Sequence, residues 1–165
     1  MHVFITGTGS GIGKTLAESF LKKGIRVTGI SRNKTIDHKL FEFIQADLTN
    51  ELVRDQFSFP QSDDNDVVLI NNAGTLGTIG PFLELSKEDI RRTFRLNVEA
   101  LMELSMEFIN MFHKKKRTLI HIGSGAANRS IKGWSNYCAS KAAVHHFNQV
   151  LNDELNYFGQ SEKIR

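Results

Sequence analysis

Short runs of strand-forming apolar residues alternate with stretches of helical periodicity along this 165-residue chain. The apolar runs predict five strands, which span residues 2–6, 25–30, 41–47, 67–70 and 118–123. Each run places apolar residues on both of its faces, which is typical of strands that are covered on both sides. The alternation of such strands with helices predicts a single α/β domain over residues 1–165, with a mainly parallel sheet and helices on both faces.

Three stretches carry apolar residues at the spacing of a helix. One follows the opening strand, a second covers residues 86–112, and a third covers residues 135–158. The second opens with a cap signal, in which Ser86 is followed three residues later by Asp89. Asn97 lies inside this helix, where an asparagine is usually exposed or bonded to its own turn.

A glycine-rich turn, Gly7-Thr-Gly-Ser-Gly-Ile-Gly13, lies between the first strand and the first helix. Glycines let the backbone approach a diphosphate closely, and the free N–H groups at the start of the helix attract its charge. The spacing differs from G-x-G-x-x-G, because Ile12 occupies the last position when counting starts at Gly7. Strand, turn and helix together predict a doubly wound, Rossmann-type fold that binds its ligand at the carboxyl ends of the strands.

The same turn also resembles a P-loop, G-x-x-x-x-G-K-[ST], because Gly13 is followed by Lys14 and Thr15. The first glycine of that pattern would fall on Thr8, so one residue separates the two interpretations. A nucleoside triphosphatase also needs a magnesium-binding acid at the end of another strand, and the fourth strand runs into Asn71-Asn-Ala-Gly74 instead. The triphosphatase stays open as an alternative to a dinucleotide site, in which Lys14 is a solvated lysine of the first helical turn.

The second strand ends in Ser31-Arg32-Asn33. In a dinucleotide site, an acidic residue here binds the ribose 2′-hydroxyl of NAD, whereas an arginine accommodates the 2′-phosphate of NADP. This chain has the arginine and no acid, so Ser31 and Arg32 favour NADP(H) as the cofactor.

Tyr137 and Lys141 lie four residues apart in the last predicted helix, so they share one face. A lysine charge beside a phenol stabilises the phenolate, which suits the tyrosine to proton transfer in carbonyl and alcohol chemistry. Such a pair also occurs on ordinary helices, as a half-buried ring beside a solvated amine. The pair therefore gains its meaning from the rest of the chain.

Several motifs together resemble the short-chain dehydrogenase/reductase family over essentially the whole chain. The motifs are Thr6-Gly7-x-x-x-Gly11-Ile-Gly13, Asn71-Asn-Ala-Gly74, Leu96-Asn97-Val, Ser124 and Tyr137-x-x-x-Lys141. The resemblance implies that Tyr137 is the general acid/base that protonates the carbonyl oxygen as a hydride arrives from the nicotinamide. It also implies that Ser124 holds that oxygen and that Lys141 supports Tyr137 and binds the nicotinamide ribose. Asn97 would position a water in the proton relay.

The same resemblance implies a binding site for NADP(H) that runs from the glycine turn to the tyrosine helix. Asp47 and Leu48 are expected to contact the adenine, and residues 72–74 are expected to line the adenosine ribose. The predicted cofactor-binding residues are Gly7, Ser10, Gly11, Ile12, Gly13, Ser31, Arg32, Asp47, Leu48, Asn72, Ala73, Gly74, Tyr137 and Lys141.

Two stretches, residues 77–81 and 132–142, resemble the sepiapterin reductase and benzil reductase branch of this family. That resemblance implies an NADPH-dependent oxidoreductase that reduces a ketone or diketone carbonyl to an alcohol. Trp134 precedes Tyr137 by three residues, and it is expected either to cover an aromatic substrate or to pack against the sheet.

Composition narrows the partners and the compartment. The net charge of +3 includes a basic run at residues 113–117, which lies at a helix end where cations complement the helix dipole. This run is not accompanied by aromatic residues that could stack on bases, so a nucleic-acid partner is not expected. The six histidines show no metal-ligand spacing, and neither a membrane span nor a signal peptide is recognisable. Cys138 is the single cysteine and cannot form an internal disulfide, which favours the cytoplasm. The family resemblance adds a small-molecule carbonyl or alcohol substrate and a homo-oligomer, a dimer or tetramer.

The C-terminus differs from the family pattern. Members continue past the tyrosine helix into two further strands and a segment that covers the substrate, whereas this sequence ends at residues 163–165, where the sixth strand is expected to begin. We therefore expect a C-terminal truncation that removes part of the substrate pocket. A catalytically inactive NADP(H)-binding module is accordingly the main alternative to an active reductase.

Overall fold

Parallel strands form one sheet in the computed structural model, which describes residues 1–157 and 163–164. The strands are β1 His2–Thr6, β2 Arg26–Ser31, β3 Phe41–Gln45, β4 Asp66–Asn71, β5 Lys116–His121 and β6 Lys163–Ile164. All neighbouring pairs are parallel, and the order is β3-β2-β1-β4-β5-β6. Because the order reverses between β1 and β4, a crevice opens at the carboxyl ends of these two strands. The predicted Rossmann-type fold is confirmed.

Helices connect the strands and differ from the sequence prediction at two places. They are α1 Gly11–Lys22, α2 Glu51–Asp55, α3 Lys87–Phe94, α4 Ala100–Met111 and α5 Ser135–Tyr157. Helix α2 was not predicted, because its five residues are too few to show helical periodicity. The predicted helix over residues 86–112 is divided, since Arg95–Glu99 form a π-helical turn between α3 and α4. No helix in the described part of the chain combines the length and apolarity needed to cross a membrane.

Residues of β1 contribute to hydrophobic clusters on both faces of the sheet. Val3 and Ile5 belong to the cluster that includes residues of α1. Phe4 belongs to the other cluster, where its ring meets that of Phe59 edge to face at 5.2 Å. Burial on both faces accounts for the uninterrupted apolar run from which the strand was predicted.

Candidate active site

The glycine turn leads from β1 into α1 and leaves the backbone open to an anion. Gly7 and Gly11 adopt φ angles of 76° and 57°, in the left-handed region that favours glycine. A Cβ atom at Gly13 would lie 2.4 Å from both the Gly7 carbonyl oxygen and Asn72 Nδ2, so a side chain does not fit there. Ser10 precedes α1 without forming a side-chain cap, and the first helical turn contains no acid. The first N–H groups of α1 are therefore available to a phosphate.

Lys14, on which the P-loop alternative depends, is engaged within α1. Its Nζ lies 3.8 Å from Oε1 of Glu18, one turn further along the helix. The strand end that would have to carry a magnesium-binding acid is Asn71, whose Nδ2 donates a hydrogen bond to Ser105 Oγ at 3.0 Å. These contacts favour a dinucleotide over a nucleoside triphosphate.

Thr6 and Asn72 join the glycine turn to the segment that follows β4. Thr6 Oγ1 accepts hydrogen bonds from the backbone N–H groups of Asn72 at 3.0 Å and Ala73 at 2.9 Å. In return, Asn72 Nδ2 donates to the Thr6 carbonyl oxygen at 2.9 Å. Because Thr6 is buried, these bonds are shielded from water and fix the two segments against each other.

A cleft of about 560 Å³ lies where β1, β2, β3 and β4 end. This volume is within the range of about 300–1,000 Å³ that is typical of small-molecule and cofactor sites. Among the predicted cofactor-binding residues, those that line the cleft are Gly7, Ser10, Ile12, Ser31, Arg32, Asp47, Leu48, Asn72, Ala73 and Gly74. Gly11 and Gly13 shape the adjoining turn, and Tyr137 and Lys141 are not among the lining residues.

The cleft also has lining residues that were not predicted from the sequence. They are Gly9, Ile30, Asn33, Ala46, Thr49, Thr75, Arg92 and Leu96. Most of them adjoin a predicted residue along the chain and share its strand end or turn. Leu96 adjoins Asn97 in the motif Leu96-Asn97-Val. Arg92 adjoins no predicted residue, and its helical spacing of four residues from Leu96 is the one signal that could have placed it at the cleft.

Ser31 and Arg32 differ in their availability to a ligand. Arg32 is exposed at the cleft, and among the described residues its guanidinium forms no ion pair. Ser31 is buried, and its Oγ donates a hydrogen bond to the Asn33 carbonyl oxygen at 3.0 Å. Arg32 is therefore the member of the pair that can bind a phosphate without losing a hydrogen bond.

Thr49 holds the carboxylate of Asp47 at the end of the cleft expected to bind adenine. Asp47 Oδ1 accepts hydrogen bonds from the Thr49 N–H at 3.0 Å and from Thr49 Oγ1 at 2.8 Å. These bonds, together with the positive charges of Arg32 and Arg92, hold the pKa of Asp47 below its usual value. The carboxylate is therefore ionised at neutral pH and presents acceptors only.

Asn97 lies in the π-helical turn and is 1% exposed. Its Oδ1 accepts a hydrogen bond from the Thr75 N–H at 2.8 Å, and its Nδ2 donates to the Thr75 carbonyl oxygen at 2.9 Å. Nδ2 also donates to Ser140 Oγ at 3.0 Å, and Ser140 Oγ donates in turn to the Tyr137 carbonyl oxygen at 2.8 Å. This differs from the expectation for a mid-helix asparagine. The side chain joins the segment after β4 to the first turns of α5, instead of bonding to its own turn.

Lys141, Tyr137 and Ser124 lie around the carboxyl end of β5. Lys141 is 7% exposed, and its Nζ donates a hydrogen bond to the Ile122 carbonyl oxygen at 2.7 Å. The same Nζ lies 5.8 Å from the centre of the Tyr137 ring. Ser124 Oγ accepts a hydrogen bond from the Ala126 N–H at 3.1 Å, which orients the hydroxyl and leaves its own proton to donate. Helix α5 packs against the turn that follows Ser124.

Gly74 is the place where the cleft reaches these catalytic candidates. A Cβ atom at this position would lie 3.3 Å from Asn97 Oδ1 and 4.0 Å from Lys141 Nζ. Burial lowers the pKa of Lys141, because a charged ammonium loses hydration there. The ring of Trp134 makes an edge-to-face contact with the ring of Tyr137, at 5.7 Å between ring centres.

His121, at the end of β5, is a buried polar residue near the site that the sequence did not single out. Its Nε2 lies 3.1 Å from Ser105 Oγ, which donates its own proton to the Leu101 carbonyl oxygen at 2.6 Å. Burial lowers the pKa of His121 to about 4, so the ring is neutral at neutral pH. It therefore adds no charge beside Lys141. Within the described residues, no group of three or more His, Cys, Asp or Glu side chains is placed to hold a metal ion.

Known proteins resemble this chain in sequence and in fold. A benzil reductase ((S)-benzoin forming) of Bacillus subtilis is 38% identical over 159 residues, which cover 91% of this chain and 65% of that protein. A bulky-bulky ketone specific alcohol dehydrogenase of Comamonas testosteroni has a similar structure, with a TM-score of 0.83 and 30% identity over 99% of this chain and 69% of that one. A short-chain dehydrogenase of Sphingobium yanoikuyae, solved in complex with NADPH, has a TM-score of 0.82 and 32% identity over 96% and 67% of the two chains.

The chain is shorter than its curated relatives, and it spans 53% to 65% of the length of three of them. The family model described as short chain dehydrogenase nevertheless matches residues 1–164. The predicted family and its benzil reductase branch are thereby confirmed. This chain belongs to the short-chain dehydrogenase family of oxidoreductases.

Proposed function

We propose that this protein is an NADP(H)-dependent oxidoreductase that reduces a ketone or diketone carbonyl to an alcohol. One arrangement carries the proposal: Lys141 is buried beside Tyr137, next to a cleft that presents Arg32 at the end of β2. The similarity to a benzil reductase and to a ketone-specific alcohol dehydrogenase supports a carbonyl substrate. The similarity to a dehydrogenase solved with NADPH supports the choice of cofactor.

The residues of the cleft fit a dinucleotide. A Cβ atom at Gly11 would have nothing within 4 Å, and Gly13 tolerates no side chain, so the turn exposes backbone N–H groups to a diphosphate. Asp47 and Leu48 would hold the adenine, residues 72–74 the adenosine ribose, and Lys141 the nicotinamide ribose. When bound, the nicotinamide supplies the hydride.

The side chains of this protein would supply the hydrogen bonds and the proton. Ser124 would donate its O–H to the carbonyl oxygen of the substrate and hold it in place. Tyr137 would transfer its phenolic proton to the same oxygen as that oxygen gains negative charge, so that the substrate becomes an alcohol and the tyrosine a phenolate. The positive charge of Lys141 would stabilise that phenolate.

We assign Asn97 a positioning role. It holds Thr75, which follows the cofactor-binding segment, and through Ser140 it holds the first turns of α5, which carry Tyr137. Both N–H groups of its amide donate to protein atoms, so they are not the groups that would hold a water. The water of the proton relay remains a prediction from the family resemblance.

The preference for NADPH over NADH would rest on Arg32. Gln45 Nε2 donates a hydrogen bond to the Arg32 carbonyl oxygen at 3.2 Å, which steadies the backbone at this strand end. A charge-assisted contact with the 2′-phosphate contributes about 1.5–3 kcal/mol, which corresponds to about 10- to 150-fold in affinity.

Separate titrations of NADPH and NADH, followed by nucleotide fluorescence, test the cofactor assignment. The wild type should bind NADPH about 10- to 150-fold more tightly, and Arg32→Asp should reverse the preference. Lys34→Asp is the matched control, since Lys34 is exposed and does not line the cleft. Equal binding of both cofactors by the wild type would contradict the role of Arg32.

The loss of NADPH absorbance in the presence of benzil tests the chemistry. Tyr137→Phe deletes the transferable proton and little else, so turnover should disappear while NADPH binding is retained. Substantial turnover by this variant would exclude Tyr137 as the proton donor. Binding of NADPH by the wild type without turnover of any ketone would identify an NADP(H)-binding module instead.

We further propose that the protein acts as a homo-oligomer, a dimer or tetramer, in the cytoplasm. Met102 and Met106 are 40% and 62% exposed one turn apart on α4, and they offer an apolar surface for self-association. Cys138 is a free thiol, which suits a reducing compartment. Sedimentation of the purified protein measures the oligomeric state.

A further inference from the structure

The helical segment after β4 contributes a cation to the cleft that no cofactor-binding motif contains. Arg92 in α3 and Leu96 in the π-helical turn both line the cleft, together with Ala46, Asp47 and Leu48 from the end of β3. Positions four residues apart lie on the same side of a helix, so Arg92 and Leu96 face the cleft as a pair. We propose that Arg92 packs its guanidinium against the adenine base of the bound nucleotide. This inference rests on the proposed function, since it requires an adenine nucleotide in the cleft.

Two arginines place positive charge at the end of the cleft where Asp47 lies. Both Arg32 and Arg92 act on the Asp47 carboxylate as positive charges, and Arg32 belongs to the end of β2. Arg92 belongs to the segment after β4, and β2 and β4 flank β1 on opposite sides. A ligand bound beside Asp47 is therefore exposed to the positive charge of both arginines, which come from different segments of the chain.

The surroundings of the two arginines assign them different partners. Arg32 lies beside the polar residues Ser31 and Asn33, which suits a phosphate, whereas Arg92 lies beside the apolar Leu96. A flat aromatic base suits an apolar wall, and a guanidinium plane stacks on an aromatic face. Arg92 forms no ion pair within the described residues, whereas Arg95, three residues on, pairs with Glu88 at 3.3 Å.

Isothermal titration calorimetry of the whole chain with adenosine 5′-monophosphate and adenosine 2′,5′-bisphosphate tests the assignment of Arg92 to the adenine base. Both probes carry the base, and only the second carries the 2′-phosphate. Arg92→Ala should weaken both by the same factor, about 5- to 30-fold, as expected for the loss of stacking on a base. Arg32→Ala should weaken only the bisphosphate. Arg91→Ala is the matched control, because Arg91 is exposed in the same helix and does not line the cleft.

Arg92→Lys separates stacking from charge, since lysine keeps the charge but not the plane. We expect it to bind the monophosphate nearly as weakly as Arg92→Ala, and it also serves as the test should the alanine variant not fold. Three results would overturn the inference while the proposed function stands. They are wild-type affinity in Arg92→Lys, a loss of affinity in Arg92→Ala that is confined to the bisphosphate, and equal binding by the Arg92→Ala and Arg91→Ala variants. A wild type that binds neither probe would overturn both.

Discussion

Acid should destabilise this protein through His2, a fully buried histidine in β1. Its Nε2 lies 2.7 Å from Thr28 Oγ1, and its Nδ1 lies 3.1 Å from Ser62 Oγ. Thr28 Oγ1 can donate its proton to Glu42 Oε2 at 3.4 Å, and Ser62 Oγ accepts from the Asp64 N–H at 3.3 Å. A neutral ring with its proton on Nε2 therefore satisfies both partners, whereas a second proton on Nδ1 would face the proton of Ser62.

The size of the effect follows from the shift in pKa. Burial, aided by the positive charge of Arg26, lowers the pKa of His2 from 6.5 to about 4. Between these values the unfolded chain binds a proton that the folded chain does not, so the stability due to the neutral ring is complete above pH 6.5 and is lost as the pH falls toward 4. At about 1.4 kcal/mol per pKa unit, the loss at pH 4 is about 3 kcal/mol.

Urea unfolding of the wild type and of His2→Gln between about pH 7 and pH 4 measures this loss. Glutamine keeps a neutral N–H donor but does not titrate, so the stability of the variant lacks the pH-dependent contribution of the side chain at position 2. The difference in unfolding free energy between the two proteins should change by about 3 kcal/mol in favour of the variant across this range. His145→Gln, at an exposed position on α5, is the matched control and should follow the wild type. Parallel profiles of unfolding free energy against pH for the wild type and His2→Gln would refute the inference that the folded protein buries His2 in its neutral form.

Two further substitutions test the site. Gly13→Ala places a methyl group 2.4 Å from two polar atoms, so it should lower the free energy of unfolding in urea by about 1–3 kcal/mol. It should also weaken the binding of NADPH in the fluorescence titration. Gly80→Ala is the control and should match the wild type, because a Cβ atom there has nothing within 4 Å. Ser140→Ala removes an acceptor of the buried Asn97 amide, so it should cost about 1–3 kcal/mol and slow benzil reduction with little change in NADPH affinity. Wild-type turnover in Ser140→Ala would show that this hydrogen bond does not position the catalytic helix.

The fold could be predicted from local patterns because β1, β2 and β4, at the centre of the parallel sheet, are covered on both faces. All five positions of β1 are buried, so the strand is visible in the sequence as an apolar run and the glycine turn marks its end. Helix α2 has no comparable signal. Its five residues include one that is buried, and the hydrogen bond from the Leu52 N–H to Asn50 Oδ1 is a local feature common to many turns.

The candidate site was predicted less completely, because the partners of its side chains lie far away along the chain. The partners of Asn97 are 22 and 43 residues distant, and only the tertiary structure brings them to the π-helical turn. Ser31 was expected to meet a phosphate, and its donation to the Asn33 carbonyl oxygen is a competing bond that no strand-end motif reveals. Arg92 has the sequence context of an ordinary solvated helix cation, since its role depends on which face of the helix lies along the cleft.

A series of hydrogen bonds connects the cleft to α5, the helix that carries Tyr137 and Lys141. Thr6 fixes the segment after β4 to the glycine turn, and Asn97 fixes the continuation of that segment to Ser140. Ser140 is adjacent to Lys141 on α5, and the ammonium of Lys141 is bonded in turn to the end of β5. A displacement of the segment after β4 would therefore move the Lys141 ammonium relative to the sheet. Substitutions along this path should reduce proton transfer more than nucleotide affinity, because the glycine turn and Arg32 keep their own contacts with the cofactor.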